Sequence, residues 1–255
     1  MDKITMYMVT HKDVDFVPEG RTPIFVGNGK PSKEYLRDNT LNNISSKNKN
    51  YCELTAYYWI WKNDKTSDFV SIEHYRRFFM NKNIIPRILT KEKMVELLEK
   101  YDVVTGKPAR TKMSIKEFYI ARHYGEDLLF AEKRIKEKYP EYLSTFKKIM
   151  DGHMSPMFNM MCTSKEMFDS YCEWLFDILF FVEENVNFEN RTPYQQRAMG
   201  FLAERLMNIW VEVNTDKIGR LPIYYLEQNR VISDIKSLKK RLPKCYGYNP
   251  KSERW

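Results

Sequence analysis

The chain has 255 residues, is 43% hydrophobic and carries a formal charge of +8, enough length and apolar content for one large α/β-sized core. No apolar run of about eighteen residues or more is present, and "MDKITMYMVTHKD" has neither a basic leader nor a small-residue cleavage site. A membrane-spanning helix and a signal peptide are therefore not expected, and the protein is expected in the cytosol.

The four cysteines, Cys52, Cys162, Cys172 and Cys245, form no CxxC pair, so buried thiols are expected rather than a zinc ribbon or disulfide frame. From Arg230 onward eight bases face two acids, which places +6 of the +8 in the last 26 residues. The organisation expected is one domain over 1–229 and a basic tail over 230–255. No repeat, low-complexity tract or Gly/Ser linker marks another boundary.

"ITMYMVTH" reads as a buried first strand and "PIFVGNG" as a second, closed by a glycine turn. "SSKNKNYCELTAYYWIWKN" reads as a helix with Asn50 as cap, Glu53 at the third helical position, and Leu54, Tyr58 and Trp61 on one stripe. "FVSIEHYRRFFM" begins as an apolar strand and runs into Glu73, His74, Tyr75, Arg76 and Arg77 without a turn residue. Met94, Leu97 and Leu98 mark the next helix and "YDVVTGK" another strand. Ser114 and Glu117 then form a capping box opening a helix that Pro140 interrupts. "PMFNMMCT" is a further strand, after which Thr163 and Glu166 cap an aromatic-rich helix. Thr192, Pro193 and Gln195 open the last long helix, with a core stripe of Met199, Leu202, Leu206, Ile209 and Val213. Alternating strands and helices followed by a helical C-terminal part predict an α/β fold with an open, mostly parallel sheet, whose ligands bind beyond the carboxyl ends of the strands.

That rule puts Glu73, His74, Arg76 and Arg77 at a mouth. There Glu73 and His74 could hold a divalent cation, orient a sugar hydroxyl or take a proton, while the arginines neutralise a diphosphate. The competing reading is an internal salt bridge from Glu73 to an arginine, with His74 hydrogen-bonded in the core. Asp13 and Asp15 make a D-x-D, but after the first strand, so Thr10 and His11 at that strand's tip are the better nucleotide-pocket residues. Glu53 is either catalytic or a helix cap, and capping is favoured. Glu204 lies off the core stripe of its helix, on a face with Arg197, Gly200 and Phe201 that is either solvated or turned to the cleft as a general base. His153 sits ahead of a strand, where it could touch metal or substrate or be an ordinary loop histidine that does neither.

Motifs of dinucleotide oxidoreductases, P-loop kinases, serine esterases and zinc peptidases are missing. In the tail, Val231, Ile235, Leu238 and Leu242 share a stripe with lysines between them, as in a helix lying on an acidic membrane or docking on its own domain. No nucleic-acid-binding module accompanies that charge, and no nucleic acid is expected as partner.

Together "VTHK", "NNISSKNKNYCELTAYYWIWKN", "SIEHYRRFF", "SPMFNMMCTSKEMFDSYCEWLF" and "GFLAERLMNIW" resemble the bacterial glycosyltransferases of capsule, exopolysaccharide and lipopolysaccharide gene clusters that long carried a "domain of unknown function" label. The resemblance runs from Ile4 to about Asn229. It implies a GT-A-like nucleotide-sugar fold and transfer of a hexosyl group, from a UDP-sugar such as a galactose form, to a lipid-linked glycan at the inner face of the membrane. The segment corresponding to the usual D-x-D strand end holds Glu73, His74 and Tyr75 here. Either Glu73 binds Mg or Mn alone, or His74 and the arginines act without a cation; no organic cofactor is implied. By the same resemblance Glu204 is the base of an inverting displacement. Asn43, Ser45 and Asn48 line the donor pocket with Thr10 and His11, and Asn159 and His153 face the acceptor. The alternative is a non-catalytic sugar-nucleotide or glycan-binding protein of a polysaccharide assembly complex.

Overall fold

The computed structural model describes residues 3–81, 87–155 and 158–226. Strands β1 (Ile4–Thr10), β2 (Arg21–Phe25) and β3 (Leu36–Arg37) come first. A 3-10 turn at Ser45–Lys47 leads to α1 (Asn48–Tyr51) and α2 (Leu54–Asn63), followed by β4 (Phe69–His74) and β5 (Arg77–Phe79). Next come α3 (Lys91–Leu98), β6 (Val103–Gly106), β7 (Ala109–Arg110), α4 (Ile115–Ile120), α5 (Gly125–Lys138) and α6 (Leu143–Asp151). The described chain closes with β8 (Met154–Ser155), β9 (Met161–Ser164), α7 (Lys165–Asn185), α8 (Ala198–Asn214), β10 (Ile218–Leu221) and β11 (Ile223–Tyr225).

The main sheet runs in the order β10-β6-β9-β4-β1-β2-β3, with β5 bridging β4 and β11. Along that path only β9 is antiparallel to its neighbours, so the sheet is mostly parallel as expected. Strand alternation splits its side chains between two cores. Tyr7, Val9, Val70, Ile72 and Met161 face the large core under α2 and α4–α8, while Ile4, Met6, Val104 and Cys162 face a smaller one closed by Met94 of α3. Cys52, Cys162 and Cys172 are free thiols, the latter two fully buried; Cys245 lies outside the described residues. So does the predicted basic tail over 230–255. Among the described residues no helix is long and apolar enough to cross a membrane.

Local differences from the sequence reading have identifiable causes. The Ser114–Glu117 capping box forms, but its helix stops at Ile120; α5 is the helix that ends before Pro140. The cap of α7 is Ser164 rather than Thr163, because Thr163 is held in β9 and its hydroxyl donates to Asp102 O at 2.7 Å. Thr192 accepts from Gln195 N at 3.3 Å and opens a 3-10 turn, with α8 itself starting at Ala198. The expected single helix around "NYCELT" is broken at Cys52, whose φ is 52°. Asn50 caps nothing; its Nδ2 donates to Gln196 O at 2.9 Å.

Glu73 belongs to the smaller-core side of β4 and is fully buried. Arg21 Nε donates to its Oε2 at 2.8 Å, Phe79 N donates to Oε1 at 2.7 Å, and the same guanidinium donates to Leu89 O at 2.6 Å. This pair ties β2 to the β4–β5 hairpin and to the segment before α3. Arg21→Ala leaves the carboxylate buried without its cation and is expected to cost about 3–5 kcal/mol, whereas the apolar pair Arg21→Met with Glu73→Leu costs less than the single change. Urea unfolding of both variants measures this; a loss below about 1 kcal/mol for Arg21→Ala contradicts the role.

Candidate active site

The parallel strands β1 and β4 end side by side, in register with Val9 opposite His74. Tyr75 N donates to Val9 O at 3.0 Å and Val26 N to Thr10 O at 2.8 Å, so the carboxyl ends of β1, β2 and β4 form one rim. The polar run that looked like a strand without a stop is a hairpin: His74 pairs with Arg77, leaving Tyr75 and Arg76 as its two-residue tip. The pleat sends His74 to the face opposite Glu73. Glu73, expected as a catalytic group or metal ligand, is therefore in the internal salt bridge of the competing reading, with Arg21 in place of Arg76 or Arg77.

On the His74 side the organising residue is Asn159. Its Nδ2 donates to Glu53 Oε1 at 2.6 Å and to Gly200 O at 3.1 Å, and its carbonyl accepts from Tyr57 OH at 3.0 Å. His74 Nε2 lies 3.1 Å from the same carbonyl, which can only accept, so Nε2 carries the hydrogen and Nδ1 is left as an acceptor. Asn159 is fully buried and its Oδ1 has no partner among the described residues. Phe158, at a φ of 65° that a bulky side chain rarely adopts, turns the chain so that Asn159 points inward. The Arg77 guanidinium covers the Phe158 ring at 4.0 Å and Tyr225 packs its edge at 5.9 Å.

Glu53 reaches Asn159 because Cys52 breaks the helix just before it. That break is supported from both sides: Asn48 Nδ2 donates to Cys52 O at 2.7 Å, and Arg197 Nε donates to Cys52 Sγ at 3.3 Å. The capping role favoured for Glu53 is thus not what its carboxylate does. Arg197 at the N-cap of α8, with Phe201, Glu204 and Asn208 within it, follows the i, i+4, i+7, i+11 spacing of one helix stripe. Arg205 NH1 donates to Glu204 Oε2 at 2.6 Å and to Phe201 O at 2.9 Å. With its side chain only 21% exposed, Glu204 is not on a solvated face.

Protonation follows from this crowding. Burial raises the Glu204 pKa above its ordinary value; the negative charge of Glu53 adds to the rise, and Arg205 and Arg77 oppose it. Burial lowers His74, with Arg77 and Arg76 adding and Glu53 opposing, so its imidazole is neutral at neutral pH. His11 is lowered by desolvation and then by Lys12, Arg76 and Arg197, and its ring meets Tyr75 edge-on at 5.5 Å. Burial pushes Arg77 down and the Cys52 thiol up to about 11, leaving that sulfur a weak nucleophile. The Glu53 charge thus acts on His11, His74, Arg77, Arg197 and Glu204, and Arg76 acts on His11, His74 and Arg77, so these groups are linked beside the strand ends.

Other expected residues do different work. The Thr10 hydroxyl closes its own turn by donating to Lys12 O at 2.6 Å. Asn43 Nδ2 donates to Leu41 O and its Oδ1 accepts from Ser45 N, so it shapes a loop. Ser45 Oγ donates to Asp38 Oδ1 at 2.7 Å, and the Asp38 carboxylate also accepts from Gly27 N at 3.0 Å. Asp38 is fully buried and carries no sequence signal that points to it. Gly27 has a φ of 77°, and a Cβ there would stand 2.8 Å from Asn48 Oδ1, so Asn48 packs against the β2 loop. His153 is exposed on the β7–β8 side, where its carbonyl accepts from Thr111 N, outside the Asn159 group. Asp13 accepts from Ser32 and Asp15 pairs with exposed Lys33, which leaves the D-x-D holding a loop.

These placements do not fit a divalent cation. Glu73 is enclosed by Arg21, Glu53 and Glu204 are interleaved with guanidiniums, and among the described residues no three His, Cys, Asp or Glu side chains converge as ligands.

The chain matches the family described as Domain of unknown function (DUF4422) over residues 5–215. No curated protein matches it. Among solved structures, the apo structure of the WbbM bifunctional glycosyltransferase superposes with a TM-score of 0.77 and 26% identity, covering 89% of this chain and 46% of that one. This chain thus spans about half the length of that protein.

The Glu53–Glu204 field is directly measurable. A carbon-13 NMR titration should place the Glu204 carboxyl midpoint above the ordinary glutamate value of about 4.3. Because Glu53 raises it, Glu53→Gln should move the midpoint down. Since the folded pKa is raised, this group favours folding at low pH, and the favour fades as pH rises through the folded midpoint. A midpoint unmoved by Glu53→Gln would show that the two carboxylates do not share a field.

Proposed function

Because the chain belongs to the family described as Domain of unknown function (DUF4422), and its fold is that of a region of a bifunctional glycosyltransferase, we propose that it is a glycosyltransferase of polysaccharide synthesis. The observation that carries this reading is the meeting of two carboxylates with three guanidiniums at the ends of parallel strands, where such sheets bind ligands. We place the nucleotide diphosphate sugar against His11, Arg76 and Arg77, and the acceptor on the α8 side.

In the proposed step Glu204 takes the proton of an acceptor hydroxyl, whose oxygen forms a bond to the anomeric carbon. The bond from that carbon to the diphosphate breaks with its electron pair going to the phosphate oxygen, and the configuration inverts. A carboxylate with a raised pKa is a stronger base for that proton than an ordinary surface glutamate. Arg76, Arg77 and Arg197 neutralise the departing charge from fixed positions, which is where preorganised electrostatics contributes most. Glu53 and His74 act as positioning residues through Asn159. The donor is proposed to be a UDP-sugar, a galactose form, and the acceptor a lipid-linked glycan at the inner face of the membrane, reached with help from the basic residues after Arg230.

The test is a panel of nucleotide sugars scored by thermal stabilisation and by transfer to a lipid-linked glycan extract. UDP-sugars should stabilise the protein, and Glu204→Gln should keep that stabilisation while turnover falls about 10²–10⁴-fold. Chelation should leave turnover unchanged. Stabilisation by no uridine or guanosine diphosphate sugar would sink the assignment, and donor binding without transfer would favour a binding protein instead.

A further inference from the structure

Where the α8 stripe leaves the carboxylates it meets a group of rings. His123, from the connection between α4 and α5, lies 4.2 Å from Phe201 with the planes 24° apart. Tyr194 stands 5.0 Å from Phe201 at 44° and 6.0 Å from His123 at 27°. The group is anchored at its inner end and open at its outer end: His123 is 9% exposed, Phe201 partly buried and Tyr194 42% exposed. Gln195 fixes the imidazole, with its Oε1 3.3 Å from His123 Nδ1 and its Nε2 donating to Arg122 O. Burial pushes the His123 pKa down to about 4, with Arg205 adding to the fall, so all three rings are uncharged at neutral pH.

Polar groups border these rings closely. The Arg197 guanidinium lies 5.5 Å from the Phe201 ring centre, and Glu204 is one turn further along α8. A long acyl chain needs a continuous apolar groove, which these charges interrupt. A pyranose needs an exposed apolar ring face for its C–H face and polar groups at its rim, which the exposed Tyr194 ring offers, backed by the stacked Phe201 and His123 and with Arg197 beside them. Phe201 and Glu204 share a helix face, which puts the carboxylate one turn along α8 from the aromatic group.

We propose that Tyr194, backed by Phe201 and His123, is the stacking ring of the acceptor subsite, seating the pyranose whose hydroxyl Glu204 deprotonates. This rests on the glycosyltransferase reading. It moves acceptor recognition from His153, which lies on the β7–β8 side, to the start of α8.

Saturation-transfer NMR on the full chain with UDP present separates the possibilities. The probes are methyl β-D-galactopyranoside, methyl β-D-glucopyranoside and methyl α-D-mannopyranoside. At least one should receive transfer at its ring C–H protons; Tyr194→Phe should keep that signal and Tyr194→Ala should weaken binding at least about fivefold, in line with a lost aromatic contact. UDP binding should be equal in all three proteins. No transfer to any glycoside, or equal glycoside binding by Tyr194→Ala, overturns this subsite. A parallel loss of UDP binding in Tyr194→Ala also overturns it, by making the rings a nucleobase site. Failure of UDP itself to bind the unaltered protein is a different result and counts against the glycosyltransferase reading.

Discussion

The arrangement of the site depends on the four hydrogen bonds of Asn159. One buried amide and its carbonyl join β4 through His74, α2 through Tyr57 and Glu53, and α8 through Gly200. Three of these partners, His74, Tyr57 and Glu53, are titratable side chains, so the same residue that closes the packing between sheet and helices also fixes where the Glu53 carboxylate and the His74 imidazole stand. A neutral hydrogen bond contributes about 0.5–1.5 kcal/mol net, and one to a charged carboxylate about 1.5–3. The larger cost is that of removing Asn159, which strands several buried groups at once. The positive φ at Phe158 and at Cys52 belongs to the same economy: strained backbone at two points turns Asn159 and Glu53 toward each other, and packing around them holds the strain.

Much of the fold follows from patterns visible in the chain. The apolar strands at Ile4, Phe69 and Val103, the capping box at Ser114 and the stripe of Met199, Leu202 and Leu206 all place their elements within a few residues. Glu204 was legible in the same way, since a residue off the core stripe that travels with Arg197 and Phe201 marks a polar face. Whether that face met water or a cleft depended on the Cys52–Gly200 approach, which brings together residues 148 apart in sequence and leaves no local trace.

The misplacements also have physical causes. Glu73 and His74 are adjacent in sequence, yet a pleat of period two sends them to opposite sides of the sheet, as their place in one strand already requires. Asn50 and Glu53 have the spacing of a cap, but a positive φ at Cys52, where glycine would be expected, breaks the helix between them. Asp38 and Arg21 could not be found this way. Their meaning lies wholly in long-range partners, Gly27 and Ser45 for one and Glu73 for the other.

The hairpin tip at Tyr75–Arg76 has a consequence for how such a protein can diversify. One guanidinium on the two-residue turn and a second on the residue after it are carried by a strand that a buried ion pair ties across β1 to β2, so their backbone is fixed relative to the sheet. In the proposed reading this end of the site, which meets the diphosphate, is then a fixed datum. The stretch from Arg191 to Arg197 that leads into α8 touches the same site from the opposite side and carries an exposed ring. Variation in what is bound can accumulate there, one surface residue at a time, while the half of the site rooted in the sheet stays unchanged.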